Sequence, residues 1–205
     1  MLDSNDFDDW SATYDQSVER SDEAGSYPFA GYERIMSTIY ERVLAANAKS
    51  VLDVGFGTAT LAKRLYDEGV SVFGQDFSAE MVLVAQEKMP KARLYHGDFT
   101  RGLVPELADR TYDAIVATYS LHHLDDAQKA RFIGSLLERL SEGGTLYIGD
   151  VAFETRSELE VCRNAAGDTW DPDEVYFVCD ELRKAFPQLA FERMSPCAGL
   201  ITLRR

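Results

Sequence analysis

The chain has 205 residues and a formal net charge of −14, with 45% hydrophobic and 27% charged residues. This size and composition are typical of one globular domain, and no apolar stretch reaches the roughly 18 residues of a membrane span. The acidic excess excludes the basic surface that nucleic acid or an anionic membrane would require, so we expect neither as a partner. The acidic start lacks a signal-peptide pattern and the three cysteines form no CxxC pair, so we expect a cytoplasmic protein.

Short apolar runs alternate with helical patterns from residue 50 onward. Runs typical of buried parallel strands occupy residues 50–54, 71–75, 92–96, 112–118 and 144–151. Helical patterns between them occupy residues 58–68, the segment after Ser78 and the segment after Asp125 or Asp126. This alternation predicts an α/β fold, with a Rossmann-like, mostly parallel sheet and helices on both faces.

Three segments lie outside this alternation. Residues 189–205 contain two strand-like runs around a Pro/Ala/Gly turn and predict a C-terminal antiparallel hairpin. Residues 1–46 predict an N-terminal cap, in which residues 27–46 have a helical pattern, and residues 152–180 predict an insert that forms a lid over the substrate. Capping-box patterns in the insert, at Thr155–Glu158 and Asp171–Glu174, predict two helix starts. We expect the whole chain to form a single domain.

Candidate ligand-binding residues follow three successive strands of the predicted sheet. Ligands of such sheets bind at the carboxyl ends of the strands. Gly55 and Gly57 follow the first strand, where missing Cβ atoms would let a ligand approach the backbone, although a tight turn has the same pattern. Asp76 ends the second strand and can accept the hydroxyl groups of a ribose. Asp98 and Phe99 follow the third strand and can accept from an adenine amino group and stack on the base.

The first glycine turn distinguishes between nucleotide cofactors. A dinucleotide fingerprint would place a third glycine at the position of Thr60, and the carboxylate of Asp53 would repel phosphate groups. S-adenosylmethionine carries an ammonium group that Asp53 would favour, together with a carboxylate for the turn. The residues therefore favour S-adenosylmethionine, and a nicotinamide-dependent oxidoreductase is the alternative.

The segments that carry these residues also resemble a known family. DVGFGTA, GQDFSAEM, HGDF, YDAIVATYSLHHL and LSEGG are similar, in order and spacing, to the signature segments of class I S-adenosylmethionine-dependent methyltransferases. The resemblance covers about residues 7–150, and DDWSATYDQSV with ATYSLHHL is similar to the largely uncharacterised YrrT-type methyltransferases of bacilli. It implies a seven-stranded sheet with an antiparallel last strand. It also suggests a small-molecule acceptor, with a place in sulfur amino acid metabolism; a protein that binds the cofactor without transferring its methyl group is the alternative.

The resemblance assigns roles to residues of this chain. It places Asp53, Gly55 and Gly57 around the methionine part of the cofactor. The residues implied for the nucleoside are Asp76 at the ribose, Asp98 and Phe99 at the adenine, and Phe77 beside the ring. Backbone contacts are implied for Tyr119 or Ser120. The N-terminal segment would bring Trp10 and Tyr14 to the site, where Tyr14 is expected to contact the methionine carboxylate. Ala59 replaces the usual third glycine of the motif, and we expect it to be tolerated.

Two adjacent histidines follow the fourth predicted strand, where the transferred methyl group is expected. On an extended segment they would point to opposite sides, so we expect no metal pair. One would then face the pocket and the other a structural partner. We choose His122, rather than His123, as a substrate contact or proton acceptor, and Tyr14 is the second candidate catalytic residue.

Overall fold

A computed structural model describes residues 21–22 and 25–205, and one mixed β-sheet forms its centre. The described strands are β1 Ser50–Val54, β2 Ser71–Asp76, β3 Arg93–His96, β4 Tyr112–Thr118, β5 Leu140–Phe153, β6 Phe177–Val178, β7 Ala190–Arg193 and β8 Ala198–Arg204. Their order is β3-β2-β1-β4-β5-β8-β7, and β6 pairs with the end of β5. Strands β1 to β5 are parallel to one another, whereas β8 is antiparallel to both β5 and β7. This confirms the predicted sheet and its C-terminal hairpin, to which the structure adds the two-residue β6.

Helices cover both faces of the sheet, as predicted. The described α-helices are α1 Tyr32–Ala45, α2 Thr60–Asp67, α3 Ala79–Lys88, α4 Pro105–Ala108, α5 Asp126–Glu138, α6 Arg156–Ala166 and α7 Cys179–Leu182. Consecutive residues of β1 belong to opposite cores: Val51 packs in the cluster that contains Ile39 of α1, and Leu52 packs in the one that contains Ile133 of α5. The alternation follows from the two-residue period of a strand, and it explains why this strand is apolar on both faces.

Local side-chain caps begin three of the helices. Ser78 Oγ accepts the Met81 N–H at 3.2 Å at the start of α3. Reciprocal capping boxes begin α5 at Asp125 and α6 at Thr155. The box at Thr155 was predicted, and Asp125 was one of the two predicted caps of α5. The predicted second helix of the insert is wrong, because residues 171–176 form no helix. Instead, Asp171 Oδ1 accepts the N–H of Asp173 at 2.8 Å within a turn.

The segment before the sheet contributes α1, which is shorter than expected. Residues 27–31 form turns, and the helix begins only at Tyr32. The parts of the predicted cap that contain Trp10 and Tyr14 lie outside the described residues, so their roles stay predictions. Within residues 21–22 and 25–205, every helix is too short or too polar to cross a bilayer.

Candidate functional site

A cavity of about 1250 Å³ opens at the carboxyl ends of β1 to β4. Every described residue that the sequence analysis selected lines it, namely Asp53, Gly55, Gly57, Asp76, Phe77, Asp98, Phe99, Tyr119, Ser120 and His122. The opposite wall comes from the segment before α1 and from the insert, including Tyr27, Phe29, Asp171 and Glu174. The fold therefore brings residues from distant parts of the chain to one site.

The turn after β1 allows no side chain at its first glycine. Gly55 has a φ of +72°, and a Cβ there would lie 2.5 Å from Ser120 Cβ and 3.6 Å from Phe99 Cε1. Ser120 is itself fixed, because its Oγ donates to the Val54 carbonyl at 2.9 Å. At Gly57, by contrast, a Cβ would meet no described atom within 4 Å, although φ is +50°. Gly55 is thus required by packing, and Gly57 only by its backbone conformation.

Ala59 occupies the position of the usual third glycine at a conformational cost. Its φ of +63° lies in the left-handed region, and its methyl group is buried. This conformation costs an L-residue about 1–2 kcal/mol relative to the right-handed one. The turn therefore accommodates the alanine with strain.

Asp53 is a buried carboxylate without a partner on one oxygen. It is 2% exposed, and its Oδ1 accepts no hydrogen bond from any described residue. Burial, and secondarily the nearby carboxylate of Asp76, raises the pKa of Asp53 to about 8. Because an isolated buried charge is costly, this position is suited to a ligand that brings a positive charge.

Asp76 holds the backbone around the cavity as well as lining it. Its Oδ2 accepts the Gly57 N–H at 2.8 Å, and its Oδ1 accepts the Ser78 N–H at 2.9 Å. Burial raises the pKa of Asp76, although these amide hydrogen bonds oppose the shift. Its two oxygens keep lone pairs for further donors, since an ionised carboxylate has about four acceptor sites.

The two residues after β3 that were predicted to bind adenine, Asp98 and Phe99, also make contacts that hold the protein together. Asp98 Oδ1 accepts both the N–H and the Oγ1 hydroxyl of Thr100, at 2.9 and 2.6 Å, and so caps a short 3-10 turn. The ring of Phe99 is 5% exposed and stacks on Phe132 with a centroid distance of 6.1 Å. Phe99 therefore supports the cavity floor from the core, whereas Phe77 is only partly buried at the rim.

The predicted arrangement of the two histidines is wrong. They lie on a 3-10 turn rather than an extended segment, both rings line the cavity, and the ring centroids are 4.3 Å apart. His122 Nδ1 lies 2.7 Å from Asp150 Oδ1, and His122 Nε2 lies 3.3 Å from Glu174 Oε1. Burial lowers the pKa of His122, but the Asp150 and Glu174 carboxylates outweigh it and raise the pKa overall. Burial and the adjacent His122 lower the pKa of His123 to about 4.

Two residues that hold this cluster escaped the sequence analysis as functional candidates. Asp150 is fully buried within an apolar run that continues to Phe153. An acidic residue inside such a run is the signal that could have indicated it. Lys129 of α5 is 1% exposed, and its Nζ donates to the Val175 carbonyl. The Val175 N–H in turn donates to the His122 carbonyl at 2.9 Å. The histidine turn and the insert are therefore joined by backbone contacts.

Comparison with known proteins identifies the family. Residues 51–144 match the family model described as a methyltransferase domain. An uncharacterized methyltransferase of Geobacillus thermodenitrificans is 37% identical over 161 residues, which cover 78% of this chain and 72% of the relative. Another, of Oceanobacillus iheyensis, is 30% identical over 210 residues, which cover 97% and 95%. The chain belongs to the class I S-adenosylmethionine-dependent methyltransferases.

Solved structures share the fold of this methyltransferase. Magnesium protoporphyrin IX methyltransferase from Synechocystis PCC 6803, solved with bound SAH, superposes with a TM-score of 0.69 at 18% identity over 97% of each chain. Streptomyces venezuelae DesVI gives a TM-score of 0.67 at 19% identity over 98% of each chain. The predicted family, enzyme class and methyl donor are confirmed, and the nicotinamide-dependent alternative is wrong.

Proposed function

We propose that this methyltransferase transfers the methyl group of S-adenosylmethionine to a small molecule bound at the His122–Glu174 end of the cavity. The observation that carries the proposal is the size and lining of this one cavity. Its volume of about 1250 Å³ exceeds the roughly 300–1000 Å³ typical of pockets for single ligands. Space for a second small molecule is therefore available beside the cofactor, and the net charge of −14 disfavours a nucleic acid acceptor.

The cofactor half of the cavity suits a molecule with an ammonium group. The unpartnered Oδ1 of Asp53 is proposed to accept from the ammonium of S-adenosylmethionine, which supplies an activated methyl group on its sulfonium. Gly55 and Gly57 leave the backbone open beside it. For the nucleoside we propose Asp76 at the ribose, Asp98 and Phe99 at the adenine end and Phe77 beside the ring. Backbone contacts are proposed for Tyr119 and Ser120.

The acceptor half is proposed to be closed by the cap and the lid. Tyr27, from the segment before α1, stacks on Trp170 of the insert at a centroid distance of 5.1 Å. The hydroxyl groups of Tyr27 and Tyr176 are hydrogen-bonded to each other. These contacts join Tyr27, in the described part of residues 1–46, to the insert of residues 152–180. We propose that both segments belong to one domain and that the lid excludes water in this way. His122 is proposed to contact the acceptor, so that the enzyme acts mainly by positioning and desolvating the nucleophile.

A panel of acceptors tests the proposal directly. We expect calorimetry to show micromolar binding of S-adenosylmethionine, and mass spectrometry to show S-adenosylhomocysteine formed with at least one small amine, thiol or carboxylate. Thiols related to sulfur amino acids come first, because the bacillar resemblance suggests that metabolism. The control is Asp53→Asn, which should form much less product at S-adenosylmethionine concentrations near the wild-type dissociation constant. Tight cofactor binding without product from any acceptor would favour the binding-protein alternative.

The ribose role of Asp76 can be separated from its role in the turn. We expect Asp76→Asn to weaken binding of S-adenosylhomocysteine about 10–100-fold, because a charge-assisted hydrogen bond contributes about 1.5–3 kcal/mol. It should also lower stability by about 1–3 kcal/mol, because the Gly57 or Ser78 amide loses its acceptor. Calorimetry with S-adenosylhomocysteine and its 2′-deoxy analogue decides between the two effects. If the variant loses equal affinity for both ligands, Asp76 does not contact the 2′-hydroxyl group.

A further inference from the structure

We propose that His122, His123 and Glu174 bind a divalent transition metal ion at the acceptor end of the cavity. One potential ligand atom of each residue lies within 4.8 Å of the others. Two imidazoles and one carboxylate form a donor set that suits zinc and related ions, and three protein ligands leave a coordination position open. Binding of the metal does not depend on the proposed function. Its use in holding an acceptor atom at the open position rests on that function.

The distance between two of the ligand atoms matches a metal site. A tetrahedral ion with bonds of about 2.0–2.2 Å separates two ligand atoms by about 3.4 Å. His122 Nε2 and Glu174 Oε1 are 3.3 Å apart. The third ligand atom, on the half-buried His123, lies within 4.8 Å of the other two, and metal binding would have to draw it closer. An ion pair with a protonated His122 would give a similar distance, and the experiment below distinguishes the two.

Outer hydrogen bonds orient both of these ligands. Asp150 Oδ1 lies 2.7 Å from His122 Nδ1, so Nδ1 donates to this carboxylate and Nε2 faces Glu174. The metal would bind Nε2 in place of the proton that this nitrogen carries when the ring is charged. Tyr176 donates its hydroxyl to Glu174 Oε2 at 2.5 Å, leaving Oε1 toward the imidazole. Carboxylate–histidine–metal arrangements of this kind raise ligand basicity and fix ring orientation.

The backbone holds the two ligand-bearing segments together. Val175, which follows Glu174, donates its N–H to the His122 carbonyl at 2.9 Å and accepts from the buried Nζ of Lys129. Glu174 is therefore fixed beside the histidine turn and does not belong to a free loop. Two acidic side chains, Asp150 and Glu174, lie beside His122, and one lysine, Lys129, reaches the same segment, so acidic groups outnumber lysines beside the proposed ion.

Metal titration of the purified, chelator-stripped protein tests the site. We expect one equivalent of Zn²⁺ to bind in competition with a chromophoric chelator, and one equivalent of Co²⁺ to give the visible absorption of a tetrahedral or five-coordinate ion. His123→Gln and Glu174→Gln should each weaken Zn²⁺ binding at least about 10-fold. The matched control is Asp173→Asn, which alters a cavity-lining acid outside the cluster and should leave Zn²⁺ affinity unchanged.

Cofactor binding in the same samples separates this proposal from the proposed function. We expect all three variants to fold and to bind S-adenosylmethionine with wild-type affinity. Glu174→Gln should unfold at a lower temperature than the wild type, because His122 loses a charged partner. Absence of stoichiometric metal, or Zn²⁺ affinity unchanged in both ligand variants, would overturn the metal site while leaving the cofactor assignment intact. Metal binding without any S-adenosylmethionine binding would overturn the proposed function alone.

Discussion

Asp53→Asn is expected to weaken S-adenosylmethionine binding about 100-fold and, at the same time, to stabilise the free protein. Binding suffers because the proposed partner of the ammonium loses its charge, which is worth about 1.5–3 kcal/mol. Stability rises because a buried carboxylate without a partner on Oδ1 becomes a neutral amide. Calorimetry and thermal unfolding at pH 8 measure the two effects. Each unit of pKa shift corresponds to about 1.4 kcal/mol, so the gain should be at least about 1 kcal/mol.

The pH dependence of stability provides a second readout for Asp53. Its pKa is about 8 in the folded protein, against about 4 in an unfolded chain, so the folded state binds the proton more tightly. Wild-type stability should therefore fall as the pH rises from about 4 to 8, and the Asn variant should lack this contribution. The difference between the two proteins should be small at pH 5 and largest above pH 8.

A surface substitution controls for the loss of one acidic charge. Asp67 forms an exposed ion pair with Lys63 at 2.5 Å, so Asp67→Asn should change stability by less than about 1 kcal/mol and leave cofactor affinity unchanged. Because an ammonium would lower the pKa of Asp53, cofactor binding near pH 7 should also release a proton. Calorimetry in buffers of different ionisation enthalpy detects that proton. Unchanged affinity in Asp53→Asn would contradict the ammonium assignment.

Gly55→Ala is expected to destabilise the protein by about 2–5 kcal/mol and to eliminate cofactor binding. The left-handed φ contributes about 1–2 kcal/mol, and overpacking against Ser120 Cβ at 2.5 Å contributes about 1–3 kcal/mol. The displaced turn would also enter the space proposed for the methionine part of the cofactor. Denaturant unfolding and calorimetry measure the two losses.

Gly57→Ala is the matched control for Gly55→Ala. It has a similar left-handed φ, but its new methyl group would meet no described atom within 4 Å, so it should cost only about 1–2 kcal/mol. Adding Ser120→Gly to Gly55→Ala removes the atoms that the methyl group at position 55 meets and should recover part of the stability. Equal losses in the two alanine variants would show that backbone strain, and not packing against Ser120, makes Gly55 necessary.

Interior strands were predictable because both of their faces are buried. Strands β1 and β4 have the predicted bounds, Ser50–Val54 and Tyr112–Thr118, since most residues of each strand are apolar and buried. Strand β5 begins at Leu140, four residues before the apolar run, because Leu140 pairs with Tyr112. Residues 141–143, which are polar or glycine, lie between Leu140 and the apolar run and belong to the strand. The register of the β4–β5 pairing shifts there, and a pattern of apolar residues does not indicate such a shift.

The candidate site was predictable where its residues are local in sequence and not where they come from distant segments. The candidate residues at the carboxyl ends of β1 to β3 each end or follow a strand that the sequence predicts. Their place in the sequence was therefore enough to select them. The cluster of Asp150, His122 and Glu174 joins separate segments, which no local pattern relates. Tertiary contacts also explain the wrong helix in the insert: Tyr27 Oη accepts the Asp171 N–H at 3.0 Å, and the His122 carbonyl accepts the Val175 N–H. These partners replace the amide interactions that a first helical turn would provide.

Asp76 accepts hydrogen bonds from two backbone amides, and this restricts how the methyl donor of the enzyme could be changed. On the proposed ribose role of Asp76, replacing its carboxylate to suit an altered sugar would also remove the acceptor of the Gly57 and Ser78 amides and loosen the turn. Variants selected for synthetic donors should therefore accumulate changes at the rim, around Phe77, and retain Asp76. On the proposed assignments, the donor is recognised by residues that also hold the central turn, whereas the acceptor would be selected by the cap and the insert.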